Sequence, residues 1–184
     1  MSVAGCSGDD PPPSPVPAAP SPSASPSPSP VGSVSPTGST TPTATAPTLP
    51  AAARADTPAG AEAFARFWLT ALDYAYKTGD TEPLRSAGTC RGCVAQANAI
   101  ARQYESGGRI QGGTVHISDS SAINHAAGSA ALVRVDYRQD AGLLVSSDGT
   151  SKAQPAVPRA SLLFTLGRRG GLWTVTAIQP LKSS

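Results

Sequence analysis

The chain has 184 residues with 14 basic and 12 acidic side chains, and its composition is sharply divided. Residues 1–53 hold 14 of the 19 prolines, only two charges (Asp9 and Asp10) and no aromatic residue, whereas every Lys, Arg, Phe, Tyr and Trp lies in residues 54–184. The second part is mildly basic, with one adjacent basic pair, Arg168-Arg169, which is no footprint for nucleic acid. No run approaches the roughly 20 apolar residues that span a bilayer as a helix.

The chain opens "MSVAGCSGDD". Val3-Ala4-Gly5-Cys6 resembles the lipobox of bacterial lipoproteins, in which small residues precede a cysteine that receives a diacylglyceryl group after cleavage just before it. The resemblance implies lipidation at Cys6, a signal peptide ending at residues 1–6, and a domain held on the outer face of the cell membrane. Two acyl chains suffice for stable anchoring where one is marginal. Only four residues separate Met1 from Cys6. A leader needs a charged start and an apolar stretch of about 7–15 residues, so the reading expects a start upstream of Met1 or a trimmed leader.

Residues 7–53 repeat Ser-Pro and Thr-Pro units, as in "SPSASPSPSP". Proline fixes φ and favours an extended polyproline conformation, and a segment this poor in apolar side chains cannot offset its ordering entropy. It reads as a disordered spacer, with many hydroxyls open to O-linked sugars.

The remaining 131 residues, 54–184, suit one domain with one core. "TPAGAEAFARFWLTALDYAYKTG" predicts a helix with Thr57 as cap, Pro58 in the first turn and Gly79 at the end. At 100° per residue Phe64, Phe67, Trp68, Ala71, Leu72 and Ala75 share a face. Glu62, Arg66, Asp73 and Lys77 share the other, as two i,i+4 ion pairs. Two further helices are expected near residues 82–87 and 93–105.

From residue 109 the period becomes two. "RIQGGTVHIS" predicts one strand bent at Gly112-Gly113, and "SAALVRVDYRQD" a strand with Val133, Val135 and Tyr137 opposite Arg134, Asp136 and Arg138. "ASLLFTLGRRGGLWTVTAIQP" predicts a hairpin, with Leu162, Phe164 and Leu166 on one strand, a Gly-bounded turn at 167–171, and Trp173, Val175 and Ala177 on the other. Helices first and antiparallel strands after is α+β, with helices covering one face of a curved sheet.

This order and size resemble the NTF2-like (cystatin-like) fold, a long first helix and two others packed on a cone of meandering strands. More narrowly, "TPAGAEAFARFWLTALDYAYKTGDTEPLR", a following Cys-x-x-Cys and the closing "LWTVTAI" resemble an uncharacterised family of actinobacterial lipoproteins, domain of unknown function 6318, over about residues 56–180. The family carries no assigned activity.

Cys90 and Cys93 form the Cys-x-x-Cys pair. In an exported protein the pair reads as a structural disulfide at a helix entry, with a redox pair or part of a zinc site as the alternatives. Zinc needs four ligands, and His116 and His125 lack metal-ligand spacing. Tyr74, Tyr76, Tyr104 and Tyr137 either line a pocket as polar-tipped walls or fill the core. The set put forward as pocket lining is Trp68, Tyr74, Tyr104 and Tyr137. No catalytic constellation, cofactor motif or metal site is evident. The expectation is a lipid-anchored extracytoplasmic module that holds a small apolar ligand or docks a cell-envelope protein, with a homodimer through the sheet as a further option. The alternative is a small isomerase or dehydratase with an acid or base inside the cone, for which His116 and Asp136 are the residues to test.

Overall fold

The computed structural model describes residues 44–181. Cys6 and most of the proline-rich spacer lie outside the described residues. After a 3-10 turn, Ala51–Arg54, come three helices: α1 (Pro58–Thr78), α2 (Glu82–Ala87) and α3 (Arg91–Glu105). Seven strands follow: β1 (Arg109–Gly112), β2 (Val115–Ala126), β3 (Ala130–Gln139), β4 (Gly142–Val145), β5 (Ser151–Gln154), β6 (Val157–Arg169) and β7 (Leu172–Leu181). They form a four-stranded sheet in the order β2-β3-β6-β7 and a three-stranded sheet in the order β1-β4-β5, both antiparallel. The architecture is α+β, with helices packed on antiparallel sheets.

Local chemistry sets the ends of α1. The Thr57 hydroxyl accepts from the Gly60 N–H at 3.0 Å, and Gly79, at φ 79°, closes the helix with its own N–H on the Ala75 carbonyl. The apolar face buries Phe64, Phe67, Trp68, Ala71 and Ala75, and Trp68 meets Phe164 of β6 edge-on at 5.6 Å between ring centroids. Val133 and Val135 of β3, Leu166 of β6 and Val175 of β7 complete this core.

The polar face of α1 departs from the expected pair of surface ion pairs. Asp73–Lys77 forms at 2.6 Å, but Glu62 and Arg66 do not pair with each other. Glu62 accepts the main-chain N–H of Ala122 at 2.8 Å, Arg66 donates to the Ser120 hydroxyl at 2.6 Å, and Asp73 accepts the N–H of Val115 at 3.1 Å. β2 is an edge strand, and its outward N–H groups would otherwise be open to pairing with another chain. At the opposite edge, the Thr89 N–H donates to the Val175 carbonyl of β7 at 3.0 Å.

Bulges change three strand expectations. The run 109–118 is two strands in different sheets, because Gly112 and Gly113 both have positive φ. A Cβ on Gly112 would stand 2.7 Å from the Ala141 carbonyl oxygen, so glycine is required at this close approach. β2 is irregular between Ile117 and Asp119 and again between Ala122 and Asn124. The β6–β7 register slips between Thr165 and Leu166, so Phe164 lies opposite Ile178 and not Ala177. Ile178 therefore packs against the core where Ala177 was expected, since one extra residue turns over every later side chain.

The segment just ahead of Arg54 packs on the domain. Ala53 is fully buried and Leu49 packs against the core. The Trp173 Nε1–H donates to the Ala55 carbonyl at 2.9 Å. The Asp56 carboxylate accepts from the Gly128 N–H at 2.6 Å and pairs with His125 Nε2 at 3.0 Å, with Arg168 Nη1 3.8 Å away. Arg168 in turn lies over the Trp173 ring, 4.8 Å from its centroid. Burial alone would raise the Asp56 carboxyl, but the Gly128 N–H, His125 and Arg168 together hold it below the usual value.

Cys90 caps α3 and Cys93 lies in its first turn, and the two form a disulfide with a Cα–Cα separation of 5.0 Å. Packing there is tight: a Cβ on Gly88 would stand 2.8 Å from Trp68 Nε1 and 2.9 Å from Cys93 Sγ.

Three outcomes follow from these contacts. Urea unfolding of Glu62→Ala is expected to show a loss of about 1–2 kcal/mol, because a half-buried edge N–H loses a charged acceptor. Glu62→Gln should lose less, and Lys77→Ala, whose pair is exposed, should change stability by less than about 1 kcal/mol. Equal effects at Glu62 and Lys77 would show that the helix does not close the strand edge. For Asp56, a folded pKa below the unfolded value means stability that is present above about pH 4 and lost as pH falls through the folded pKa. The stability difference between the protein and Asp56→Asn should thus shrink as pH falls below about 4. A difference that is flat with pH would refute the clamp. Reduction of Cys90–Cys93 opens only a very short loop, so it should cost on the order of 2 kcal/mol or less.

Candidate functional site

Two adjoining hollows lie between the helices and the sheets. The larger, about 410 Å³, lies against α3 and the small sheet, with Ile100, Ile110, Leu144 and Val157 as apolar walls. The smaller, about 270 Å³, lies between α1 and the main sheet, walled by Trp68, Leu72, Val115, Tyr137, Leu162 and Ile178. Tyr76, Gln96 and Gln139 line both. The larger volume is within the range of small-molecule sites.

The polar groups of the cavity are held by specific bonds. Gln96 Nε2 donates to the Tyr76 hydroxyl at 2.9 Å. Gln103 Nε2 donates to the Val145 carbonyl at 2.8 Å, and Gln139 Nε2 to the Gly113 carbonyl at 3.1 Å. Neither hollow is lined by a Lys, Arg, Asp, Glu or His side chain. The titratable lining groups are Tyr76 and Tyr137. Burial raises both hydroxyls above their usual value, and the neighbouring Tyr137 adds to the effect at Tyr76. Both are therefore neutral near pH 7, able to donate a hydrogen bond but not to act as bases.

Of the residues put forward as pocket lining, Trp68 and Tyr137 are in the wall of the smaller hollow. Tyr74 is not: its hydroxyl donates to Asp80 at 3.1 Å on the exposed side of α1. Tyr104 is a strut outside the lining. Its hydroxyl donates to the Tyr76 carbonyl at 2.6 Å, and its ring packs on Gly79, where a Cβ would stand 2.4 Å from the ring. The physical reason is the turn at Gly79, which brings the end of α1 onto the last turn of α3. Tyr76 continues the i,i+4 row Trp68–Leu72 by one more turn, and that spacing is the signal for its place in the wall. The glutamines carry no such signal, because an amide at a half-buried position looks like surface in sequence.

His116 and Asp136 lie outside both hollows. His116 Nε2 contacts Asp140 at 2.7 Å, and Arg138 binds the same carboxylate at 2.6 Å. Asp136 accepts from Ser161 at 2.5 Å and from Arg134 at 2.9 and 3.0 Å, which together lower its pKa. Among the described residues no group of three His, Cys, Asp or Glu is placed to hold a metal ion. No helix among them is long and apolar enough to cross a membrane.

No curated protein matches this chain in sequence. Among solved structures, the intermembrane space region of chloroplast protein ARC6 is similar at a TM-score of 0.50 and 15% identity, over 69% of this chain and 98% of that one. A Novosphingobium aromaticivorans protein described as a "putative aromatic ring hydroxylase" is similar at 0.44 and 11% identity, over 68% and 96%. At these identities the likeness concerns fold alone. The model of a family of unknown function, DUF6318, matches residues 38–179. With well over half of its length matched, this chain belongs to the DUF6318 family.

Proposed function

We propose that this DUF6318 chain is a lipid-anchored extracytoplasmic binding module, and that its folded domain is an NTF2-like cone holding a small uncharged ligand. The observation that carries the reading is the cavity: about 410 Å³, walled by aliphatic side chains and amides, with no charged group in its lining. Such a site offers shape and a few hydrogen bonds, and disfavours any ligand whose charge would be buried unpaired. Helices over bulged antiparallel strands support the cone, as does the likeness to the ARC6 region.

The anchor rests on Val3-Ala4-Gly5-Cys6 and on the proline-rich segment that separates it from the domain. A spacer of some 40 residues reaches on the order of 100 Å when extended, enough to carry a domain clear of a membrane surface. An isomerase or dehydratase would need an acid or base facing the ligand. The lining has no carboxylate or imidazole to act as base, and burial keeps its tyrosines protonated, so binding is favoured over proton abstraction.

Native mass spectrometry of the protein purified without reductant tests the binding reading. A bound small molecule is expected, lost in Ala99→Trp, which places an indole into the larger hollow from an exposed helix position. A ligand-free dimer would instead favour a protein-docking role for the sheet. For the anchor, cells expressing the full gene with a palmitate analogue should label the protein, and Cys6→Ala should remove the label. An unlabelled wild type would end the lipoprotein reading.

A further inference from the structure

We infer that the larger cavity selects ligands by hydrogen-bond donors: it takes an uncharged molecule with an apolar body and at least two O–H or N–H groups. This rests on reading the cavity as a ligand site.

The argument comes from which end of each glutamine is already used. Gln103 and Gln139 both give their amide nitrogen to a main-chain carbonyl, Val145 and Gly113 respectively. A carbonyl oxygen cannot donate, so these bonds determine which way each amide is turned. Nitrogen faces the protein, and the acceptor oxygen Oε1 is the end left over. Neither Oε1 receives a hydrogen bond from any described protein group. Both residues line the larger cavity beside Ile110, Leu144 and Val157.

The two carbonyls that hold them are products of the fold. Val145 is the buried end of β4, and Gly113 lies in the positive-φ turn that separates the two sheets. The amides are thereby fixed before a ligand arrives, which lowers the entropy lost on binding. Two amide oxygens without a protein partner in a mostly apolar lining favour donors and disfavour carboxylates and phosphates, for which the lining has no cation. A ligand with acceptors alone would leave both oxygens unpaired and desolvated. The Tyr76 hydroxyl accepts from Gln96 and keeps its own O–H, so the same wall also offers one donor, which an O–H group of the ligand can meet with its oxygen.

The test compares three probes of eight carbons each on the full chain, by isothermal titration at pH 7.5. These are 1,2-octanediol, with two donors; methyl heptanoate, with acceptors only; and octanoate, which is charged. The diol is expected to bind at least about tenfold more tightly than either of the others, the worth of one to two neutral hydrogen bonds. Gln139→Leu should reduce that preference about threefold or more while leaving methyl heptanoate unchanged, and Ala99→Trp should abolish diol binding. If the ester or octanoate binds as well as the diol, donor selection is wrong while the cavity reading stands. Diol binding that survives in Ala99→Trp places the site elsewhere and overturns the assignment. If none of the three binds, the cavity reading fails as well.

Discussion

Two main-chain N–H groups on the outer edge of β2 are met by carboxylates of α1. Glu62 and Asp73 accept from Ala122 and Val115, and Arg66 reaches Ser120 between them. One stripe of the helix is thereby tied to the edge strand while the stripe behind it carries Phe64, Trp68 and Ala71 into the core. The helix cannot roll without giving up either main-chain bonds or apolar burial, so its rotation is set twice over. That rotation decides which side chains stand above the sheet, and so where Trp68, Leu72 and Tyr76 are placed in the walls of the hollows.

The hollows exist because two sheets diverge. Gly112 and Gly113 turn the chain out of one sheet and into the other, and β1, β4 and β5 form a second wall opposite α3. A gap of this kind cannot be closed by collapse, since its rims are held by hydrogen bonds. Gln103 ties α3 to Val145 of β4, and Gln139 ties the end of β3 to the turn at Gly113. The same amides that brace the opening are the polar groups it presents.

Elements with local causes were legible in the sequence. Thr57, Pro58 and Gly79 bound α1 by capping chemistry that needs no tertiary partner, and the alternation of Val133, Val135 and Tyr137 marks the inner face of β3. The last eight residues of β2, "DSSAINHA", were not legible, because their polar residues alternate with nothing apolar enough to show a period. β4 and β5 have four residues each, too short for a pattern to stand out. The exchange of Ala177 for Ile178 has its cause in a bulge, which depends on how two strands pair and leaves no mark in either alone.

Composition and periodicity by themselves determined that a charge-poor, proline-rich segment precedes one α+β domain, and that a long amphipathic helix leads it. These follow from side-chain volume, polarity and backbone preference, which each residue carries wherever it sits. The tertiary structure alone decided that Glu62 and Arg66 serve a strand and not each other, that Leu49 and Ala53 pack against the core, and that the cavity is lined by amides. A charged or amide side chain takes whichever partner the packed chain brings within about 3 Å. For Glu62 and Ala122 that partner lies 60 residues away.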